Sequence, residues 1–316
     1  KNLHYSIRMS DLTIVMYHYV RPIRVSEFPG IKGLELEGFK RQLDFLEENY
    51  SIVTTEQVIE AVTKDKKLPK HACWLTFDDG YKDHYIYVLP ELIKRNLSGA
   101  FFPPRVVIEK DKLLDVNAIH HMLSKTSNRK LLVSELYEHC LNNGVSQVQL
   151  NSYYKEFGVA NRWDDADTIF IKRMLQHVLP EDMRNLITTS LFEKYVGKST
   201  QEFSSELYMS IKEVRTLVKK GMYIGSHGSM HYWLDRISEE KQKQDIVKSL
   251  GFLEDVGIPT KDWIMCYPYG AYNNFTLSLL KELGASIGIT TKVKIADLST
   301  DNPFTLPRLD TNDFPQ

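Results

Sequence analysis

The sequence predicts an α/β fold of parallel strands joined by crossover helices, and three observations carry that expectation. Short runs of strand-forming residues alternate with segments of helical spacing from Leu12 to Phe102. The alternation breaks off and resumes after Ile211. The residues with most chemical potential stand just past the ends of the apolar runs, where parallel sheets gather their ligands.

In order, Leu12 to Tyr17 is a short run rich in strand formers that ends at His18, and a loop with Pro22, Pro29, Gly30 and Gly33 follows. Phe39, Leu43 and Leu46 fall on one face of a helix over Glu37 to Asn49. A strand at Ser51 to Val53 and a helix from Thr55 to about Thr63 come next. The third strand is Ala72 to Phe77, leading into Asp78 and Asp79; a helix through Val88, Leu89, Leu92 and Ile93 precedes a strand at Gly99 to Phe102. The segment from Asp111 to Leu207 shows helical spacing and no strand pattern, as in Ile169, Met174, Leu175 and Val178, and reads as a helical insertion. Afterwards come a helix at Ile211 to Lys220, a strand at Met222 to Ser226, a helix at Ser238 to Val256, a strand at Trp263 to Tyr267, a helix at Phe275 to Leu283 and a strand near Ala285 to Ile289. The expected division is therefore 1–110 and 208–316 for two parts of one α/β domain, with 111–207 between them.

Composition narrows the class. With 316 residues, 42% hydrophobic and 26% charged, the chain can bury a large core. A net charge of -1 without basic clusters argues against nucleic acid as a partner. Cys73, Cys140 and Cys266 are too few and scattered for a disulfide framework or a cysteine metal site. No apolar run reaches the roughly 18 residues of a membrane span. The start lacks the apolar core of a signal peptide, so the reading favours the cytoplasm. The first residue is not Met, which leaves a removed signal as the alternative. Oligomeric state is not legible.

Three stretches carry the chemistry. Trp74 to Tyr81 runs from a buried-type strand into two adjacent carboxylates, Asp78 and Asp79, whose side chains alternate and can hold different tasks around one centre. A strand followed by an Asp-Gly turn explains it equally well. His227 and His231 follow another strand end, and four-residue spacing puts both imidazoles on one face if the segment turns helically. One carboxylate with two imidazoles gives three ligands and open positions, as in catalytic metal sites. Cys266 to Gly270 stands at a third strand end, where a Pro and Gly turn can aim a backbone N–H at an oxyanion. By contrast His120, His121, His139 and His177 lie among helix formers without matching carboxylates and read as packing or surface residues.

Together these stretches resemble the NodB-type polysaccharide deacetylases, carbohydrate esterase family 4. The first family motif, TFDDG, matches Thr76 to Gly80; the second, H-(S/T)-x-x-H, matches His227 to His231 with Gly228 at the hydroxyl position; the third, R-x-P-Y-G, matches Cys266 to Gly270 except for its Arg. Tyr17-His18 and Leu306-Pro307-Arg308 resemble the subgroup whose final histidine motif is replaced by one near the amino end. The resemblance implies a distorted (β/α) barrel of about seven parallel strands with a large helical insertion. It implies that Asp79, His227 and His231 bind a divalent metal, zinc first, with cobalt, nickel, manganese or iron as alternatives. Asp78 would be the general base, His18 the general acid across the open face of the ion, and Tyr269 the backbone donor of the oxyanion hole. The reaction would remove an N-acyl, in the first place N-acetyl, group from an amino sugar of a glycan or glycan precursor.

The departures define the questions. The family's motif-three Arg pairs with the catalytic aspartate, and Cys266 cannot; the expectation is that Arg308 supplies that charge. The Asp-x-x-Asp-Trp motif is not evident, with Asp297, Asp301 and Asp310 as loose candidates for its role. Tyr19, Tyr81, Tyr232, Trp233, Tyr267 and Tyr272 suit stacking on sugar rings. Two other readings compete: a carbohydrate-binding homologue that has lost catalysis, and a non-haem iron oxygenase, which uses the same two-His one-carboxylate set.

Overall fold

A computed structural model describes residues 10–109, 112–161 and 163–316. The chain divides into two compact units, Lys1–Pro22 with Gly33–Asp111 and Ser205–Gln316, and Ile23–Lys32 with Lys112–Ser204.

The first unit is a ring of short parallel strands with helices between them. Its members are β1 (Asp11–Tyr17), β2 (Ala72–Asp78), β3 (Ala100–Phe102), β4 (Tyr223–Ile224), β5 (Trp263–Cys266), β6 (Ala285–Ile289) and β7 (Leu309–Asp310). β1 runs beside β2 from Leu12 opposite Ala72 to Tyr17 opposite Phe77. Next come β2 to β3, β3 to β4, a single parallel bridge from Ser226 to Met265, and β5 to β6. The ring closes where Ile289 bridges Leu306 and β7 lies parallel to β1 with Val15 opposite Leu309. This is the distorted (β/α) barrel, in which the parallel register puts all seven strand ends on one rim.

The strands form where they do because they are apolar throughout. Every residue of β2 and of β5 is buried, the mark of strands covered on both faces. Crossover helices are delimited by their caps. Thr54 with Gln57, and Ser210 with Glu213, make reciprocal capping boxes at the starts of Thr55–Lys64 and Ile211–Lys219. Three pairings lie outside the sequence expectation: β7 beside β1, Val20–Arg21 beside Leu34–Glu35, and Ala296–Asp297 antiparallel to the start of β1.

Among the described residues of the second unit, all regular secondary structure is helical. Leu132, Leu136 and Cys140, spaced by four along Arg129–Asn142, form a buried stripe, and Phe170, Ile171, Met174, Ile187 and Leu191 bury apolar surface on other helices. It also takes in Ile23–Lys32, where Phe28 sits edge-on to His121 and Phe203. His121 is thus a packing residue, with Nδ1 2.7 Å from the Asn117 carbonyl. Among the described residues no helix is long and apolar enough to cross a membrane.

Candidate active site

Asp78 ends β2, and the next two residues leave the strand by left-handed backbone. Asp79 has φ 74° and Gly80 φ 72°. Aspartate tolerates that region better than most residues, whereas a Cβ at Gly80 would stand 2.7 Å from Pro103. The two carboxylates therefore diverge through a backbone reversal at Asp79 rather than through strand alternation alone.

Each carboxylate has its own partners. Arg308, fully buried beside β7, donates from Nη1 to Asp78 Oδ1 at 2.9 Å and from Nη2 to Asp78 Oδ2 at 2.7 Å. Its Nη1 also reaches Thr76 Oγ1 at 3.1 Å, Nε reaches the Thr290 carbonyl at 2.8 Å, and Nη2 lies 3.4 Å from Cys266 Sγ. Burial alone would raise the Asp78 pKa, but the charge and hydrogen bonds of Arg308 outweigh it and lower the carboxyl to about 2. The small thiol of Cys266 leaves the space that this guanidinium enters.

Asp79 faces the imidazoles. Its Oδ1 is 3.2 Å from His227 Nε2 and 3.3 Å from His231 Nε2, while its Oδ2 accepts from the Tyr81 hydroxyl at 2.7 Å. Burial opposes the charge on Asp79 as well, and the two imidazoles hold its carboxyl well below the usual range. His227 Nδ1 is 2.6 Å from the Cys266 carbonyl, an acceptor only, so Nδ1 carries a proton and Nε2 is the ring nitrogen turned toward Asp79. One ligand atom from each of Asp79, His227 and His231 lies within 4.8 Å of the others, and all three residues are buried. One carboxylate oxygen and two imidazole nitrogens, that of His227 oriented by the Cys266 carbonyl, could hold a divalent ion. Asp78, His227 and Cys266 also cluster. There, however, the guanidinium already occupies both Asp78 oxygens.

The segment His227 to His231 is not helical, contrary to the condition attached to its spacing. It is an irregular loop with Gly228 at φ 70° and His231 at φ 59°. Asp245, buried on the helix Glu239–Asp255, holds it by accepting Ser229 N–H at 2.9 Å and Met230 N–H at 2.8 Å. A Cβ at Gly228 would stand 2.6 Å from Asp245 Oδ2, so glycine there and aspartate at 245 are one arrangement. Asp245 was not legible as a site residue; the only signal was the irregular second motif.

His18 follows β1, with Nε2 3.7 Å from Asp78 Oδ2 and a side chain 39% exposed. The two are close neighbours, where the resemblance led to the expectation of opposite sides of an ion's open face. Tyr269 lies in the turn Pro268–Gly270 with φ 60°, its ring stacked on Trp233 at 4.3 Å and edge-on to His231 at 4.7 Å. Of the aromatic candidates, Tyr19, Tyr81 and Tyr267 are buried, whereas Tyr232, Trp233 and Tyr272 keep part of their surface exposed. Asp297, Asp301 and Asp310 act locally: Asp297 accepts from Ser299, Asp301 pairs with Lys294, and Asp310 caps the turn Thr311–Asp313.

His84 is the other buried histidine of this region, and burial brings its pKa down to about 4. An unfolded histidine titrates near 6.5, so the unfolded chain binds this proton more readily than the folded one. The stability contributed by neutral His84 is complete above about pH 6.5 and is lost as the pH falls toward 4. His84→Phe is expected to shift stability toward the variant by about 2 kcal/mol between pH 7 and pH 5, read from urea midpoints of both proteins. Parallel midpoints at the two pH values would contradict it.

A family model described as polysaccharide deacetylase matches residues 163–288, a span that includes His227, His231 and Cys266 to Gly270 and begins after Asp78 and Asp79. No curated protein matches the chain by sequence. Solved structures do match by fold. A Streptococcus pyogenes deacetylase, PplD, solved in complex with acetate, aligns at TM-score 0.60 and 17% identity over 95% of this chain and 92% of its own. IcaB from Ammonifex degensii aligns at 0.57 and 18% identity over 95% and 91%, and the BpsB deacetylase domain from Bordetella bronchiseptica at 0.56 and 14% over 97% of both. At these identities the likeness is one of fold, and it extends over both units of the chain. The chain thus resembles polysaccharide deacetylases in two ways, by the family-model match over residues 163–288 and by fold over nearly its whole length.

Proposed function

We propose that the chain is a metal-dependent carbohydrate N-deacetylase, acting on an N-acetylated amino sugar of a glycan or glycan precursor. The observation that carries this reading is the pairing of Arg308 with Asp78 beside the Asp79, His227 and His231 donor set. It gives two neighbouring carboxylates separate tasks, one as ligand and one as a base held ionised.

A zinc-type ion held by Asp79, His227 and His231 would supply Lewis acidity, polarising the acyl oxygen and making water nucleophilic near neutral pH. Asp78, kept charged by Arg308, takes the proton of the attacking water. Tyr269 would offer its backbone N–H to the developing oxyanion, where a fixed donor is worth most. His18, the part of the site most open to solvent, gives a proton to the amine as the C–N bond breaks. The stacked pair Trp233 and Tyr269 offers a flat apolar wall against a sugar ring. Acetate, which PplD was solved with, is the acid product this reaction requires.

The impaired-homologue reading rested on the missing Arg at 266, and Arg308 now stands against that aspartate. The oxygenase reading leaves Asp78 and Arg308 without a task. Acetate release from a panel of N-acetylated amino sugars and oligosaccharides tests the proposal. Wild type is expected to release acetate, and Asp78→Asn to release it at least about a hundredfold more slowly. Sugar binding without release, or release indifferent to Asp78→Asn, would sink it.

A further inference from the structure

We infer that His84 is a positioning residue for His18, fixing the proton-donor end of the reaction through the His18 carbonyl. The inference rests on reading His18 as the group that protonates the leaving amine.

After Tyr17 the chain leaves β1, and the Tyr19 carbonyl accepts the Leu34 N–H at 3.0 Å where the next short strand begins. Two consecutive residues from the helical segment after β2 hold the backbone on either side of it. His84 Nε2 lies 2.9 Å from the His18 carbonyl. A carbonyl can only accept, so Nε2 carries the proton. Asp83 Oδ2 accepts the Val20 N–H at 3.2 Å and pairs with Arg21 Nε at 2.7 Å. Between these anchors the Tyr19 ring stacks on Tyr81 at 4.2 Å. The backbone from His18 to Arg21 is thus gripped at both ends while the His18 imidazole stays free to face Asp78.

Packing alone does not account for a histidine at 84. Its ring is fully buried, edge-on to Phe77 at 5.5 Å and to Phe101 at 5.7 Å, a setting that suits phenylalanine. Its Nδ1 finds no partner among the described residues, a cost to the fold that an apolar ring would avoid. What histidine adds is one donor aimed at one carbonyl. The segment begins with a π-helical turn, His84–Val88, a local widening that recurs at functional sites.

A double-mutant cycle on the metal-loaded protein tests this, with acetate release as the rate and metal content and KM measured alongside. His84→Phe is expected to lower kcat by about tenfold to a hundredfold, the size of effect a shift of about 1 Å produces, with KM and metal content unchanged. His84→Gln, whose amide N–H stands about as far from the backbone, should recover part of the loss. Because His84 acts through His18, the double variant His18→Gln/His84→Phe should be no slower than His18→Gln alone. Losses that multiply in the double variant, or a His84→Phe defect confined to KM or metal content, would overturn the inference while leaving His18 as proton donor. If His18→Gln itself cost nothing, that role would fall and the inference with it.

Discussion

Arg308→Met is expected to remove most of the activity and to invert the pH dependence of stability around Asp78. The wild-type pair is wholly buried, and Asp78 has a pKa of about 2. Stability from an aspartate lowered in this way is present above the ordinary carboxyl pKa and is lost as the pH falls toward 2. Without the guanidinium, burial is the dominant influence and raises the Asp78 pKa above its unfolded value of about 4. The contribution of Asp78 to the variant's stability would then be fully present below about pH 4 and be lost as the pH rises through the elevated pKa. At neutral pH, leaving the carboxylate buried and uncompensated costs about 3 to 5 kcal/mol. Because a protonated Asp78 cannot serve as base, the acid limb of kcat/KM should move to higher pH. Arg308→Lys keeps the charge without the two-pronged geometry and should fall between. Urea midpoints and pH-rate profiles of the three proteins decide it; an acid limb unmoved in Arg308→Met would mean that Arg308 does not hold the base.

The second large effect is expected at the donor set. His227→Ala, His231→Ala and Asp79→Asn each remove one of three ligands, and metal content should drop from about one ion per chain to substoichiometric values. Loss of several kcal/mol of charge stabilisation corresponds to a fall in turnover of about a thousandfold. Elemental analysis of each purified variant, with thermal unfolding to confirm folding, separates metal loss from collapse. Full metal content in all three variants would place the ion elsewhere.

Much of this arrangement was readable because it depends on short continuous strings. Ala72 to Phe77 is apolar and rich in strand formers, and Asp78 and Asp79 follow it directly, so strand and chemistry are read together. The strand expected over Met222 to Ser226 shrinks to Tyr223–Ile224 with a single bridge at Ser226, since ring curvature leaves little room for a ladder. β7 and Ala296–Asp297 are two residues each, too short for any period to show. Ile23–Lys32 reads as a loop because of Pro29 and Gly30, and only tertiary contact reveals Phe28 packed beside His121. Asp245 looks like one more charge on a solvated helix face until the loop it holds is placed against it. Arg308 was found through the family resemblance: the motif-three cation that pairs with the aspartate is missing at Cys266, and Arg308 was expected to replace it from the carboxyl end.

The central claim is that a metal held by this chain drives removal of acetate from an amino sugar. Protein stripped with a chelator and titrated with zinc, given an oligomer of N-acetylglucosamine, tests it most directly when acetate and new free amine are counted together. The account predicts no release from the stripped protein. As zinc approaches one equivalent, acetate and amine should appear in equal amounts at a rising rate. Release that persists without metal, or sugar turnover that consumes oxygen and frees no amine, would contradict it.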